Sequence, residues 1–205
     1  SGGGFALMTE GVSLAGIIET PIVIHIGQRP GPATGLPTKT EQADLNLALY
    51  AGHGEFPRAI FAPGTLEELF TSAQQAFALA DEFQIPTFIL TDQYLLDSTS
   101  TVIEKDLIIQ KVENFIVETQ AEYKRYQYSE DGISPRGVPG FGKGLVAVDS
   151  DEHDEEAHIT ESHEVRQLMQ DKRLKKAIKI KKRALVPTEI GDVKKADTLV
   201  IAWGS

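Results

Sequence analysis

Cysteine is absent from this 205-residue chain. These residues alone can therefore build no disulfide, no thiolate zinc site and no cysteine-ligated iron–sulfur cluster. Any redox metal centre would have to come from a partner. Basic residues are scarce beside acidic ones: 20 Lys and Arg against 30 Asp and Glu give a formal net charge of -10, which argues against a general nucleic-acid binder. No apolar run approaches the roughly 20 residues a membrane helix needs, and no signal-peptide pattern is visible. The expected setting is cytoplasmic, with neither membrane nor nucleic acid as a partner. The P-loop, the dinucleotide glycine pattern and a nucleophile elbow with its Ser/His/Asp order are missing as well.

What is present reads as an α/β protein. The mixture of apolar and charged residues is an ordinary globular one, and the length suits one large domain or a domain with appendages. Pro21-Ile22-Val23-Ile24-His25-Ile26 is a short β-branched run bounded by turn residues, the pattern of a buried strand in a parallel sheet. Ala59–Ala62 and Thr87–Thr91 read as two further strands. Between them Thr65 caps a helix that carries Leu66, Leu69, Phe70, Ala73, Phe77 and Ala80 on one face. Strand, helix and strand with short loops indicate parallel pairing through crossovers. Helices are also expected over Phe5–Glu19, Glu41–Tyr50 and Glu161–Leu185. The last of these becomes very basic.

After Ser98 the pattern changes. Residues Val102 to Val117 show no clean period, residues 132–142 are rich in turn formers, and Asp149–Glu156 is an acidic run. The region reads as a connector, with the acidic run solvated and mobile because it has little to bury. His153, His158 and His163 lie among these acids without the spacing of a known zinc motif. An ion network, within the chain with the acidic run or at a subunit interface, is the expected use of the basic helix. His53 and Glu55, just before a strand, are assigned to the amino edge of the sheet in a structural or interfacial role. The chain closes on an apolar run, Thr198–Trp203, and opens on Ser1-Gly2-Gly3-Gly4 without Met. It reads as a piece of a longer polypeptide.

The densest signal is Arg29-Pro30-Gly31-Pro32-Ala33-Thr34-Gly35-Leu36-Pro37-Thr38. It leaves the carboxyl end of the first strand, where open α/β sheets put their ligands. Three prolines stiffen the loop. The Arg29 guanidinium offers a planar fork that matches a carboxylate or phosphate. A structural Pro/Gly connector with a surface arginine is the competing reading.

Ser1 to Glu10 and Gln28 to Thr38 together resemble the α subunit of 2-oxoacid:ferredoxin oxidoreductases, in particular the 2-oxoglutarate branch. Ala51–Arg58, Asp92–Ser98, Ser134–Gly140 and Glu152–Glu155 are similar to the same family. The resemblance thus covers nearly the whole chain in order. It implies an incomplete parallel-sheet, thiamine-diphosphate-binding (pyrimidine-domain) fold over residues 1–98. It further implies a connector over 99–197 and, over 198–205, the first strand of a transketolase C-terminal-like domain.

The resemblance also implies the chemistry. Thiamine diphosphate would lie between this chain and a β subunit that carries the magnesium ion (Mg2+) and a 4Fe-4S cluster. The partners would be that β subunit, ferredoxin, the 2-oxoacid and CoA, with a γ subunit or a fused γ domain in some members. The family's substrate arginine falls on Arg29 and a substrate-handling threonine on Thr38. Ser1, Gly2 and Gly3 fall near the cofactor. The glutamate that activates the aminopyrimidine lies upstream in relatives, as does a Tyr-Pro-Ile-Thr-Pro segment. Glu10 comes too late in the pattern to be that glutamate, so no catalytic residue is expected in this stretch. The expected reaction is oxidative decarboxylation of 2-oxoglutarate with CoA to succinyl-CoA and carbon dioxide, reducing ferredoxin. Pyruvate or branched-chain 2-oxoacids, or a non-catalytic docking module, are the alternatives.

Overall fold

Three strands, β1 (Ile22–Gln28), β2 (Ala59–Phe61) and β3 (Pro86–Asp92), form a parallel sheet in the order β1-β3-β2. The structure is a computed structural model that describes residues 1–111 and 113–205. Val112, within the stretch expected to lack a clean period, lies outside the described residues. The register sets Ile22 opposite Pro86 and Gln28 opposite Asp92, and β2 joins with Phe61 opposite Ile89. All carboxyl ends therefore open on one edge, and Arg29 emerges beside Asp92. β3 is central and buried at all seven positions. A parallel strand covered on both faces needs such a run, with threonine as its only interior polar type.

The two sheet faces are covered differently. Ile24, Ile26, Phe88 and Leu90 pack with Phe5, Val12, Ala48 and Ala51 on one side. Phe61, Ile89 and Val23 pack against Ala73 and Ala76 on the other. Alternate residues of one strand reach opposite faces because the side-chain period is two.

The first expected helix is divided. Gly2–Phe5 form α1, Ala6–Met8 a 3-10 turn and Thr9–Ile17 the helix α2. Helical backbone thus begins earlier than expected and stops at Ile17. Glu19, with φ 49°, then reverses the chain into β1. The helix expected over 41–50 shortens to α3 (Leu45–Tyr50). The reason is tertiary: the Asp44 N–H is taken by the Gln28 side chain, and the Gln42 side chain is held by Asp92 of β3, so residues 41–44 are committed to the sheet edge. α4 (Leu66–Phe83) and the short α5 (Gln93–Asp97) are capped by Thr65 and Asp92. α6 (His163–Lys182) is capped by Ser162.

The acidic run is docked rather than solvated as expected. His153 is fully buried, with its ring 3.9 Å from that of Tyr126. Glu152 accepts from both terminal nitrogens of Arg173, at 3.0 and 2.8 Å, and from Arg166 at 2.6 Å. Charge pairing with α6 draws the run down as a strap, and the bidentate guanidinium geometry directs that pairing. The expected ion network is therefore present. Residues 198–205, expected to begin a strand, show no strand pairing in this structure. Leu199, Val200 and Ile201 are exposed, whereas Trp203 packs on the face that holds Phe5 and Phe88. No helix among the described residues is long and apolar enough to cross a membrane.

Candidate functional site

The carboxyl edge of the sheet gathers four separated segments. Arg29 continues β1, and the loop after it runs to Asp44. Within the loop the Leu36 N–H donates to the Pro30 carbonyl at 3.3 Å and the Lys39 N–H to the Leu36 carbonyl at 3.2 Å. Gly35 stands at φ +52°, and a Cβ there would lie 1.9 Å from the Pro30 oxygen. Only glycine meets both demands. The tight turn and the prolines give the loop one shape.

Arg29 is half-buried, and its Nε is withdrawn from water with no hydrogen-bond partner among the described residues. A buried donor without a partner costs free energy, so the guanidinium is set to receive an acceptor. Thr38 is exposed on the same loop, and no hydrogen bond among the described residues ties it to Arg29.

The Ser1–Gly3 turn comes to this same edge. The Gly2 N–H donates to Asp44 Oδ2 at 3.0 Å. A Cβ on Gly3 would lie 3.3 Å from the Ala33 carbonyl of the loop. Three of the expected site residues, Gly2, Gly3 and Arg29, are thus brought to one edge, with Ser1 adjoining and exposed. Beyond Thr38 the loop is tied to α5, since the Thr40 hydroxyl accepts from the Tyr94 N–H at 3.3 Å. There Thr40, Glu41, Gln42, Asp92, Tyr94 and Ser205 line a cleft of about 400 Å³. Burial pushes the Asp92 carboxyl up, but hydrogen bonds from Ser205, the Leu95 N–H and Gln42 outweigh it and hold the group below its ordinary value.

Gln28 and Asp44 were not among the sequence candidates. Gln28 reads from sequence as the end of a strand and Asp44 as part of a helix. Their one legible signal is position, since they bracket the Pro/Gly loop.

Another cleft of about 400 Å³ lies where α2, residues 53–56 and α6 meet, at the amino edge of the sheet. His53 and Glu55 line it together with Glu10, Arg166 and Arg173, in keeping with their expected location. Both arginines are already engaged by Glu152. Among the described residues, Asp154, Glu156 and His158 bring three potential ligand atoms within 4.8 Å of one another. They sit on the connector strap, far along the chain from the strand-end residues. Exposed acids commonly cluster so without binding an ion.

Residues 1–172 match the family described as "Pyruvate flavodoxin/ferredoxin oxidoreductase, thiamine diP-bdg". The chain is 42% identical to 2-oxoacid:ferredoxin oxidoreductase 1, subunit alpha, of Sulfurisphaera tokodaii, over 100% of this chain and 33% of that protein. It is 30% identical to 2-oxoglutarate synthase subunit KorA of Methanothermobacter marburgensis, over 100% of this chain and 54% of the relative. Among solved structures it resembles 2-oxoglutarate:ferredoxin oxidoreductase from Magnetococcus marinus, solved with 2-oxoglutarate, coenzyme A and succinyl-CoA bound. The TM-score is 0.80 at 32% identity, covering 89% of this chain and 32% of that one. The chain therefore spans about a third of the length of the Sulfurisphaera relative.

Proposed function

The chain belongs to the pyruvate flavodoxin/ferredoxin oxidoreductase family of thiamine-diphosphate-binding domains, and from that premise we propose that it serves a 2-oxoacid:ferredoxin oxidoreductase as part of the α subunit, with 2-oxoglutarate as substrate. The reaction converts 2-oxoglutarate and CoA to succinyl-CoA and carbon dioxide, and two electrons pass singly to ferredoxin. The observation that carries this reading is Arg29, a guanidinium at the carboxyl end of β1 whose buried Nε has no partner among the described residues.

The residues present fit one side of the cofactor. Gly2 and Gly3 form a turn without side chains, closely packed on Asp44 and the Ala33 carbonyl, and that turn would lie against the pyrimidine. The strand-end edge offers glycine backbone, a guanidinium and threonine hydroxyls; its carboxylates Asp44 and Asp92 already accept from Gly2 and from Gln42, Leu95 and Ser205, and among the described residues they form no cluster of ligand atoms for a divalent cation. The family resemblance puts the diphosphate, the magnesium and the 4Fe-4S cluster on a β subunit, and this reading keeps them there. Thiamine diphosphate, when bound, supplies the electron sink for loss of carbon dioxide. Arg29 binds and orients the substrate carboxylate, and its rigid loop keeps the fork in place. Thr38 contributes a hydroxyl from the same loop. In this reading residues 1–98 act as the pyrimidine-side unit and 99–197 as the connector.

The Methanothermobacter relative and the Magnetococcus structure, both named for 2-oxoglutarate, favour that oxoacid. The Sulfurisphaera relative carries the broader name, so pyruvate and branched-chain 2-oxoacids are the competing substrates. The test is anaerobic, CoA-dependent reduction of a low-potential acceptor by the assembled enzyme, with each oxoacid. Arg29→Ala is expected to lower kcat/KM for 2-oxoglutarate on the order of 100-fold with assembly intact. Preference for pyruvate would change the substrate and keep the family. Loss of assembly without a specific kinetic effect would favour a docking role for the loop.

A further inference from the structure

We infer that Gln28 and Asp44 are positioning residues that clasp the base of the 29–43 loop and thereby set where Arg29 stands. The inference rests on the reading of Arg29 as the substrate-carboxylate arginine. Gln28 is the last residue of β1, fully buried, and Asp44 is nearly so. The Asp44 N–H donates to Gln28 Oε1 at 3.2 Å, and Gln28 Nε2 reaches the Thr91 carbonyl of β3 at 3.5 Å. Asp44 Oδ2 accepts from the Gly2 N–H at 3.0 Å. One buried chain of hydrogen bonds thus runs from the central strand through both ends of the loop to the amino-terminal turn.

Two packing facts give this chain its rigidity. A Cβ on Gly2 would sit 2.0 Å from Asp44 Oδ1, so the turn approaches the carboxylate as closely as backbone allows. A Cβ on Gly27 would sit 2.6 Å from a methyl of Leu96, so β1 is pressed against α5 one residue before Gln28. The loop's own turn and prolines give it one shape, and the clasp at its two ends fixes where that shape stands on the sheet. Arg29 adjoins the clasp directly, so an opening there passes straight to the guanidinium. Buried polar groups that are fully paired specify one geometry.

The test is a double-mutant cycle on the assembled enzyme, reading KM for the 2-oxoacid and for CoA separately. Asp44→Ala is expected to raise the oxoacid KM on the order of 10- to 100-fold and leave the CoA KM unchanged. Asp44→Asn, which keeps an acceptor for Gly2, is expected to restore most of the loss. In an Arg29→Ala background Asp44→Ala is expected to add nothing, because the group it positions is gone. If Asp44→Ala alone leaves the oxoacid KM unchanged while Arg29→Ala raises it, the clasp is refuted and the substrate arginine stands. If Arg29→Ala itself leaves that KM unchanged, both readings fall. If Asp44→Ala does not assemble, Gln28→Met, which keeps the volume and removes the acceptor, is read by the same criteria.

Discussion

Lys172 and Glu19 meet across 153 residues of chain, Nζ to Oε1 at 2.5 Å, with both side chains almost wholly withdrawn from water. Lys176 takes the other carboxylate oxygen at 2.5 Å. Arg125 donates to the Glu19 carbonyl at 2.7 Å. The turn that feeds β1 is thus locked to the helix of the connector. The connector is part of the same packed body as the sheet, because a buried carboxylate is tolerable only beside its cations.

The acid limit of that junction follows from Glu19. Burial pushes its carboxyl up, but the pull of Lys176 and Lys172 outweighs burial and lowers it from 4.5 to about 2. A carboxyl held lower in the folded state adds stability above pH 4.5, and that stability is lost as pH falls towards 2. Amide exchange in α6 should therefore accelerate over this window. Glu19→Gln should lower the opening free energy of α6 at neutral pH by about 3–5 kcal/mol, since it leaves two buried lysines unpaired. It should also flatten the acid dependence. An unaltered profile in the variant would remove Glu19 as its origin.

The strap over 152–160 should resist exchange, contrary to what its acidic composition suggests. The Asp154, Ala157 and Thr160 N–H groups donate to the His158, Asp154 and Glu152 carbonyls at 3.0, 3.2 and 2.9 Å. Glu152→Ala leaves Arg173, only 2% exposed, with the Gln170 side chain in place of its carboxylate partner. It should speed exchange at these amides by the equivalent of about 2–3 kcal/mol. Exchange in the wild type as fast as in a free peptide would overturn the docked geometry.

Gly35→Ala tests the shape of the Arg29 loop without touching its chemistry. The φ of +52° and the 1.9 Å approach to the Pro30 oxygen make alanine costly there by about 1–3 kcal/mol. The loop should relieve this by moving, so the oxoacid KM should rise while the melting temperature of the assembled enzyme changes little. A wild-type KM would mean that Arg29 is positioned independently of the turn.

Thr65→Ala offers a contrast at the other end of the scale. The Thr65 hydroxyl accepts from the Glu68 N–H at 3.1 Å and caps α4. Its loss should cost about 1 kcal/mol of stability, and turnover per folded enzyme should be unchanged. A selective fall in kcat would place α4 closer to the chemistry than its position on the sheet's flank suggests.

The strands and α4 were legible because their signals are local. β-branched runs such as Ile22–Ile26 and the Thr65 cap state their own structure. The Arg29 loop was legible for the same reason, since proline, glycine and arginine at the end of a strand declare stiffness, a turn and an anion-seeking fork. The shortening of α3 was not legible. Leu45 and Leu47 look helical, but whether the four preceding residues join them depends on Gln28 and Asp92, which lie elsewhere in the chain.

By itself, then, the sequence determined the parallel α/β character, the exclusion of an intrinsic cysteine-ligated cluster, and the residue types at the candidate site. Only the tertiary structure decided how those residues are held. The buried pairing of Glu19 with Lys172 and Lys176, the docking of the acidic strap on α6, and the Gln28–Asp44–Gly2 clasp all join residues far apart in the chain. Composition cannot show such pairings. The sign of a charged residue's contribution depends on what burial sets beside it, and that neighbour is fixed by packing rather than by spacing along the chain.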